Sequence, residues 1–150
     1  MRRYALLLGT ATCHADPSLG PLPSVRQDVQ QLKAVLEQAG DFDDVTVHVD
    51  LPAQAFTHEV EEFYGARRPG DLALFYYSGH GVKHDDQQSI FLATVDTVTG
   101  RPHATAFDVD GQLRHLLNHT KATQKVVLLD CCYSGRFTAR GGLSVGMRVA

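Results

Sequence analysis

Three runs of consecutive apolar residues mark the chain: Tyr4–Leu8, Leu72–Tyr77 and Val126–Leu129. An apolar run bounded by polar residues and rich in β-branched or aromatic side chains predicts a strand buried on both faces, as in the middle of a parallel sheet. Asp44–Asp50, DVTVHVD, alternates instead, with Val45, Val47 and Val49 on one side, and predicts a strand nearer an edge. Between these runs the period changes to that of a helix. Val25, Val29, Leu32 and Leu36 predict a first helix, with Ser24 and Gln27 in a capping-box relation and Gly40 closing it. Phe56, Val60, Phe63 and Tyr64 predict a second helix ending near Arg68-Pro69-Gly70, and Leu113, Leu116 and Leu117 a third, capped by Asp110. Lys83–Gln88 is polar and turn-like, and Ser89–Val95 reads as the return strand of a small hairpin. Gly100–Ala106 reads as loop, and so does Arg136–Ala150, which holds Gly141, Gly142 and Gly146. Strands alternating with helices imply an α/β fold: a three-layer α/β/α sandwich around a mostly parallel central sheet. A sheet that stopped at Leu129 would expose a long apolar edge, so a second chain, a removed C-terminal segment or a partner is expected to cover it.

Composition narrows the classes of function. At 150 residues, 43% hydrophobic and 21% charged, the chain has the size and balance of one globular domain. A net charge of −3 gives no reason to expect nucleic acid or an anionic membrane surface as partner. No apolar run approaches the roughly 20 residues that cross a bilayer. Met1-Arg2-Arg3 followed by a short apolar segment imitates a signal peptide, but the segment meets Gly9-Thr10 without a cleavage-type region and reads as a strand. Three cysteines, two of them adjacent, form no disulfide framework, so a reducing, cytoplasmic setting is expected.

The chemistry gathers where two central strands end. Lys125–Gly135 reads KVVLLDCCYSG and Asp71–Gly81 reads DLALFYYSGHG. In open α/β sheets ligands bind outside the carboxyl ends of the strands. One strand there delivers an acid and two thiols, the other a histidine between two glycines. Alternation puts Asp130 and Cys132 on one side and turns Cys131 toward the other, as a core thiol. A thiol becomes a strong nucleophile when a neighbouring base takes its proton, and His80 is the base within reach of this reading. Cys13 reads as a buried or idle thiol. A zinc site would need a third and fourth ligand at suitable spacing, and none is visible, so no metal is assigned. Asp28, in the first turns of the first helix, has a plain alternative role against the helix dipole.

YYSGHG at 76–81 and DCCYSG at 130–135 resemble the His and Cys motifs of caspase-like cysteine peptidases, in particular the metacaspase and bacterial caspase-domain branch. RYALLLG at 3–9 and LPSVRQDVQQL at 22–32 are similar to the opening strand and first helix of that family. The resemblance implies a cysteine endopeptidase of caspase-like fold, with residues 1–135 as the catalytic large-subunit domain and 136–150 as a Gly-rich linker toward a small-subunit region. It implies Cys132 as nucleophile, His80 as general base and acid, and the N–H groups of Gly81 and Cys132 as the oxyanion hole. It implies an acidic pocket made by Asp28 and Asp130, hence cleavage of peptides or proteins after Arg or Lys rather than after Asp. Activation by processing, or by a small-subunit segment or partner chain that completes the sheet, belongs to the same expectation. No cofactor is expected; many members of the family bind activating calcium through acidic loops, and Asp85 and Asp86 lie in a loop that matches those poorly. The alternative is a non-catalytic caspase-like scaffold or regulatory module.

Overall fold

The computed structural model of the chain describes residues 1–83 and 89–131, and the backbone of 144–148. Its elements run β1 (Arg3–Gly9), α1 (Val25–Gln38), β2 (Asp44–Val49), α2 (Ala53–Gly65) and β3 (Leu72–Ser78). Then come β4 (Gly81–Lys83), β5 (Ile90–Leu92), α3 (Pro102–Thr105) and β6 (Phe107–Asp108). A π-helical turn (Val109–Leu113) runs into α4 (Arg114–His119), followed by β7 (Gln124–Asp130) and β8 (Ser144–Arg148). Among the described residues the main sheet has five strands in the order β2-β1-β3-β7-β8, all parallel. β4, β5 and β6 form a small antiparallel sheet beside it, which contains the expected hairpin.

The alternation within the central strands explains the layers. Ala5, Leu7, Leu74 and Tyr76 face α1, where they meet Val29 and Leu36. Leu6, Leu8, Phe75, Tyr77, Val127 and Leu129 face the other way, against Phe56, Val60 and Tyr64 of α2 and Leu117 of α4. β1 and β3 are thus apolar on both sides because both sides are core, and β2, at the edge, alternates. The result is the three-layer α/β/α sandwich that the pattern predicts.

Several local expectations are corrected. Ser24 already has helical torsions (φ −73°, ψ −15°), so the Asp28 N–H donates to its carbonyl and no side-chain cap forms. The stretch read as loop at Gly100–Ala106 contains the short helix α3. The cap before the third helix is Asp108, whose carboxylate accepts from the Gly111 N–H at 2.9 Å. Asp110 accepts the Ile90 N–H at 3.0 Å and ties this turn to β5. Within the stretch read as a Gly-rich loop, residues 144–148 form β8, paired to β7 from Val126↔Ser144 to Asp130↔Arg148. Glycines hid its alternation, and pairing to a neighbour outweighs weak strand propensity. The apolar edge of β7 is therefore covered by this chain itself.

Candidate active site

The site forms where β1, β3 and β7 end level with one another. Gly9 is opposite Ser78, and Ser78 is opposite Asp130. Beyond the last ladder pair the Gly79 N–H still donates to the Asp130 carbonyl, at 3.3 Å, so the turn carrying His80 is bonded directly to the end of the Asp130 strand. Gly79 is required there: a Cβ would run into the Tyr77 hydroxyl and lie 2.7 Å from Tyr77 Cζ. His80 follows, half-buried, and Gly81 is buried as the first residue of β4. Asp130 ends β7, half-buried, two residues before Cys132 in sequence; Cys132 itself lies outside the described residues, as do Asp85 and Asp86. Cys131 is buried in the core cluster on the α2 side.

The imidazole of His80 has a defined tautomer. Its Nε2 is 2.7 Å from the Gly20 carbonyl. A carbonyl only accepts, so Nε2 carries the hydrogen and Nδ1 holds the lone pair of the neutral ring. Gly20 belongs to the long segment between β1 and α1, which is fastened at several points. The Asp50 carboxylate accepts from the Ala11 and Thr12 N–H groups at 2.7 and 3.1 Å and pairs with Arg26 at 2.6 Å. Asp50 has φ 62°, a left-handed backbone that Asp tolerates better than most residues. Leu22 N–H donates back to the Ala11 carbonyl at 2.8 Å. Asp16 accepts from Ser18 through one oxygen and from the Thr99 N–H and hydroxyl, each at 2.8 Å, through the other. These bonds, first that of the Ser18 hydroxyl and then those of Thr99, hold the Asp16 carboxyl well below the usual carboxylate range.

The backbone of His80 is braced from the α2 side. The Tyr77 hydroxyl is shared between the His80 carbonyl at 3.0 Å and the Ala93 carbonyl at 2.8 Å. The Thr10 hydroxyl donates to the same Ala93 carbonyl at 2.7 Å, and the Ala93 N–H donates to the His80 carbonyl at 3.0 Å. Burial pushes the Tyr77 phenol well above its ordinary value, with Cys131 adding to the shift.

On the α1 side lies the acidic part of the site. α1 approaches closely because β1 ends in glycine: a Cβ on Gly9 would be 2.6 Å from Val25 Cγ1. That contact sets the first turns of α1, with Asp28 half-buried, over the ends of β1 and β3. The Tyr76 hydroxyl is 3.4 Å from Asp130 Oδ2. Its pKa is pushed up to about 12, chiefly by burial, against a lowering bond from Ser78 and with the charges of Asp130 and Asp28 adding to the rise. One phenol thus feels both carboxylates. Cys13, by contrast, is in a separate apolar pocket with Val82, Phe91 and Ala106. Burial, then Asp50 and Asp16, raise its thiol to about 11, so it is no nucleophile near neutral pH.

The sequence reading missed Gly20, Tyr76, Tyr77 and Ser78. Alternation back from Asp130 and across to its ladder partner would have found Ser78 and Tyr76. Nothing in the sequence marks Gly20, which acts through its backbone.

An α/β/α sandwich whose adjacent central strands end in Ser-Gly-His-Gly and Asp-Cys-Cys is a caspase-like one. A family model for the caspase domain matches residues 2–146, and the chain belongs to that family, one of cysteine peptidases. A crystallised protein from Geobacter sulfurreducens has the same fold, with a TM-score of 0.67 at 23% sequence identity over 89% of this chain. The chain spans about half of that protein, 52% of its length. No curated protein sequence matches. Among the described residues no helix is long and apolar enough to cross a membrane.

Proposed function

We propose that this chain is the catalytic large-subunit part of a cysteine endopeptidase that cleaves after Arg or Lys. The observation that carries the reading is the bonded junction of the two strand ends: Gly79 N–H to the Asp130 carbonyl, with His80 one residue on from the first and Cys132 two residues on from the second. Family membership supports the same assignment.

In this mechanism His80 Nδ1 takes the proton of the Cys132 thiol while Nε2–H stays on the Gly20 carbonyl. The thiolate attacks the scissile carbonyl carbon. The oxyanion accepts from the N–H groups of Gly81 and Cys132, donors of a kind worth on the order of 3 kcal/mol to the transition state. His80 then returns the proton to the leaving amine, and the thioester is hydrolysed by a water that His80 deprotonates. Asp28 and Asp130 receive the guanidinium or ammonium of the residue before the cut; charge-assisted bonds to carboxylates suit either, and a guanidinium offers the fork geometry. A small-subunit segment or partner chain extends the sheet beyond β8 and completes the pocket.

The test is Cys132→Ala in the full protein, assayed with Arg- and Lys-containing peptides. Cleavage falls at least about 1,000-fold, as expected when a covalent nucleophile is removed. Undiminished cleavage, or activity confined to peptides cut after Asp, overturns the reading; no cleavage by the unaltered protein in any processed form points to the scaffold role.

A further inference from the structure

We infer that the Tyr76 hydroxyl is a positioning group of the acidic pocket, holding the Asp130 carboxylate and offering its own oxygen to the incoming cation, so that it sets how tightly a basic side chain is bound rather than how fast the bond is cut. The inference rests on the peptidase reading above and gives a role to Tyr76, which opens the YYSGHG motif but which neither the dyad nor the carboxylate pair uses.

The geometry comes from strand register. Tyr76 and Ser78 are two apart on β3 and share the α1 face; Ser78 is the ladder partner of Asp130. The Tyr76 ring is locked among core residues with Leu7, Val29 and Leu74, and only 8% of the residue is exposed. Its oxygen emerges at the sheet edge, 3.4 Å from Asp130 Oδ2, in the field of Asp28 and bonded to Ser78. A phenol has one donor and two lone pairs. Donating to Asp130 and accepting from Ser78, it keeps one lone pair for an N–H group of a guanidinium or ammonium. With its pKa near 12 the group stays neutral at working pH, so it does not add a third negative charge between the two carboxylates. Because packing already fixes the ring, binding a substrate orders nothing more in this side chain. Tyr77, next in sequence, projects to the opposite face and bonds to the His80 carbonyl. Two adjacent tyrosines therefore serve two halves of one site.

The experiment is Tyr76→Phe in the full protein, which keeps the ring and deletes one oxygen. The expected result is a loss of about tenfold in kcat/KM on Arg- and Lys-containing peptides, the size of a lost bond to a charged group. The loss falls on KM, with kcat and the rate of Cys132 alkylation by iodoacetamide unchanged. Wild-type kinetics, or a loss in kcat at constant KM, overturns the inference while leaving the peptidase reading intact. An unaltered protein that cleaves no basic peptide overturns both. A second measurement needs no substitution: an arginine peptide aldehyde shifts the Tyr76 Cζ carbon resonance and a norleucine one does not. Equal shifts from the two, or none, also overturn it.

Discussion

Tyr76 and Tyr77 are neighbours in sequence and face opposite layers of the protein. At the residue scale this alternation decides what each hydroxyl does. Tyr77 lies in the fully buried layer and bonds to the His80 and Ala93 carbonyls. Tyr77→Phe leaves the His80 carbonyl its bond from Ala93 N–H and the Ala93 carbonyl its bond from Thr10, so neither is orphaned. The cost in stability is therefore at the low end for a buried hydrogen bond, about 1 kcal/mol. The turn that carries His80 is loosened, and in the proposed mechanism displacement of the general base by an ångström can cost up to ~100-fold. We expect kcat to fall by about tenfold with KM little changed, the reverse of the Tyr76→Phe profile. Steady-state kinetics of the two variants side by side checks the division; a Tyr77→Phe effect carried by KM contradicts it.

At the scale of elements, the segment between β1 and α1 is the part that the sequence described least well. Its composition says loop, and nothing more. In the structure it is a fastened strap whose Gly20 carbonyl fixes the His80 tautomer. Asp16 is its central fastening, to Thr99. The folded-state pKa of this carboxyl lies below its unfolded value, near 3.9 for Asp, so the bond contributes stability that is fully present above about pH 4 and lost as pH falls toward the folded value. The melting temperatures of the unaltered protein and Asp16→Ala should differ most near neutral pH and converge in acid. A gap that widens as pH falls would contradict the assignment. The strands were legible because burial on both faces leaves an unbroken apolar run. The helices were legible because a single apolar stripe faces the sheet. The capping details were not: Ser24 lost its capping role to one extra residue of helical backbone, and Asp108 displaced Asp110 because Gly111 leaves room for its carboxylate. β8 was illegible for a different reason, since its strand state depends on β7 lying beside it.

At the scale of the whole molecule, one parallel sheet does the assembling. Gly9, Ser78 and Asp130 end level across three neighbouring strands, so residues far apart in sequence arrive at one rim. That convergence was readable in outline from two apolar runs with reactive ends. The orientation of the site was not, because it depends on a backbone carbonyl and on which face each tyrosine takes. In the proposed function this rim pairs the Cys132 sulfur with a pocket for a cation. The measurement that reaches it most directly uses two thiol-reactive acyloxymethyl ketone peptides that differ only at the last residue, Arg or Asp, followed by mass-spectrometric mapping. The expected result is that the Arg probe modifies Cys132 and leaves Cys13 and Cys131 untouched, while the Asp probe reacts far more slowly. Labelling of Cys132 by the Asp probe in preference to the Arg probe, or selective Arg-probe labelling at another cysteine, would contradict it.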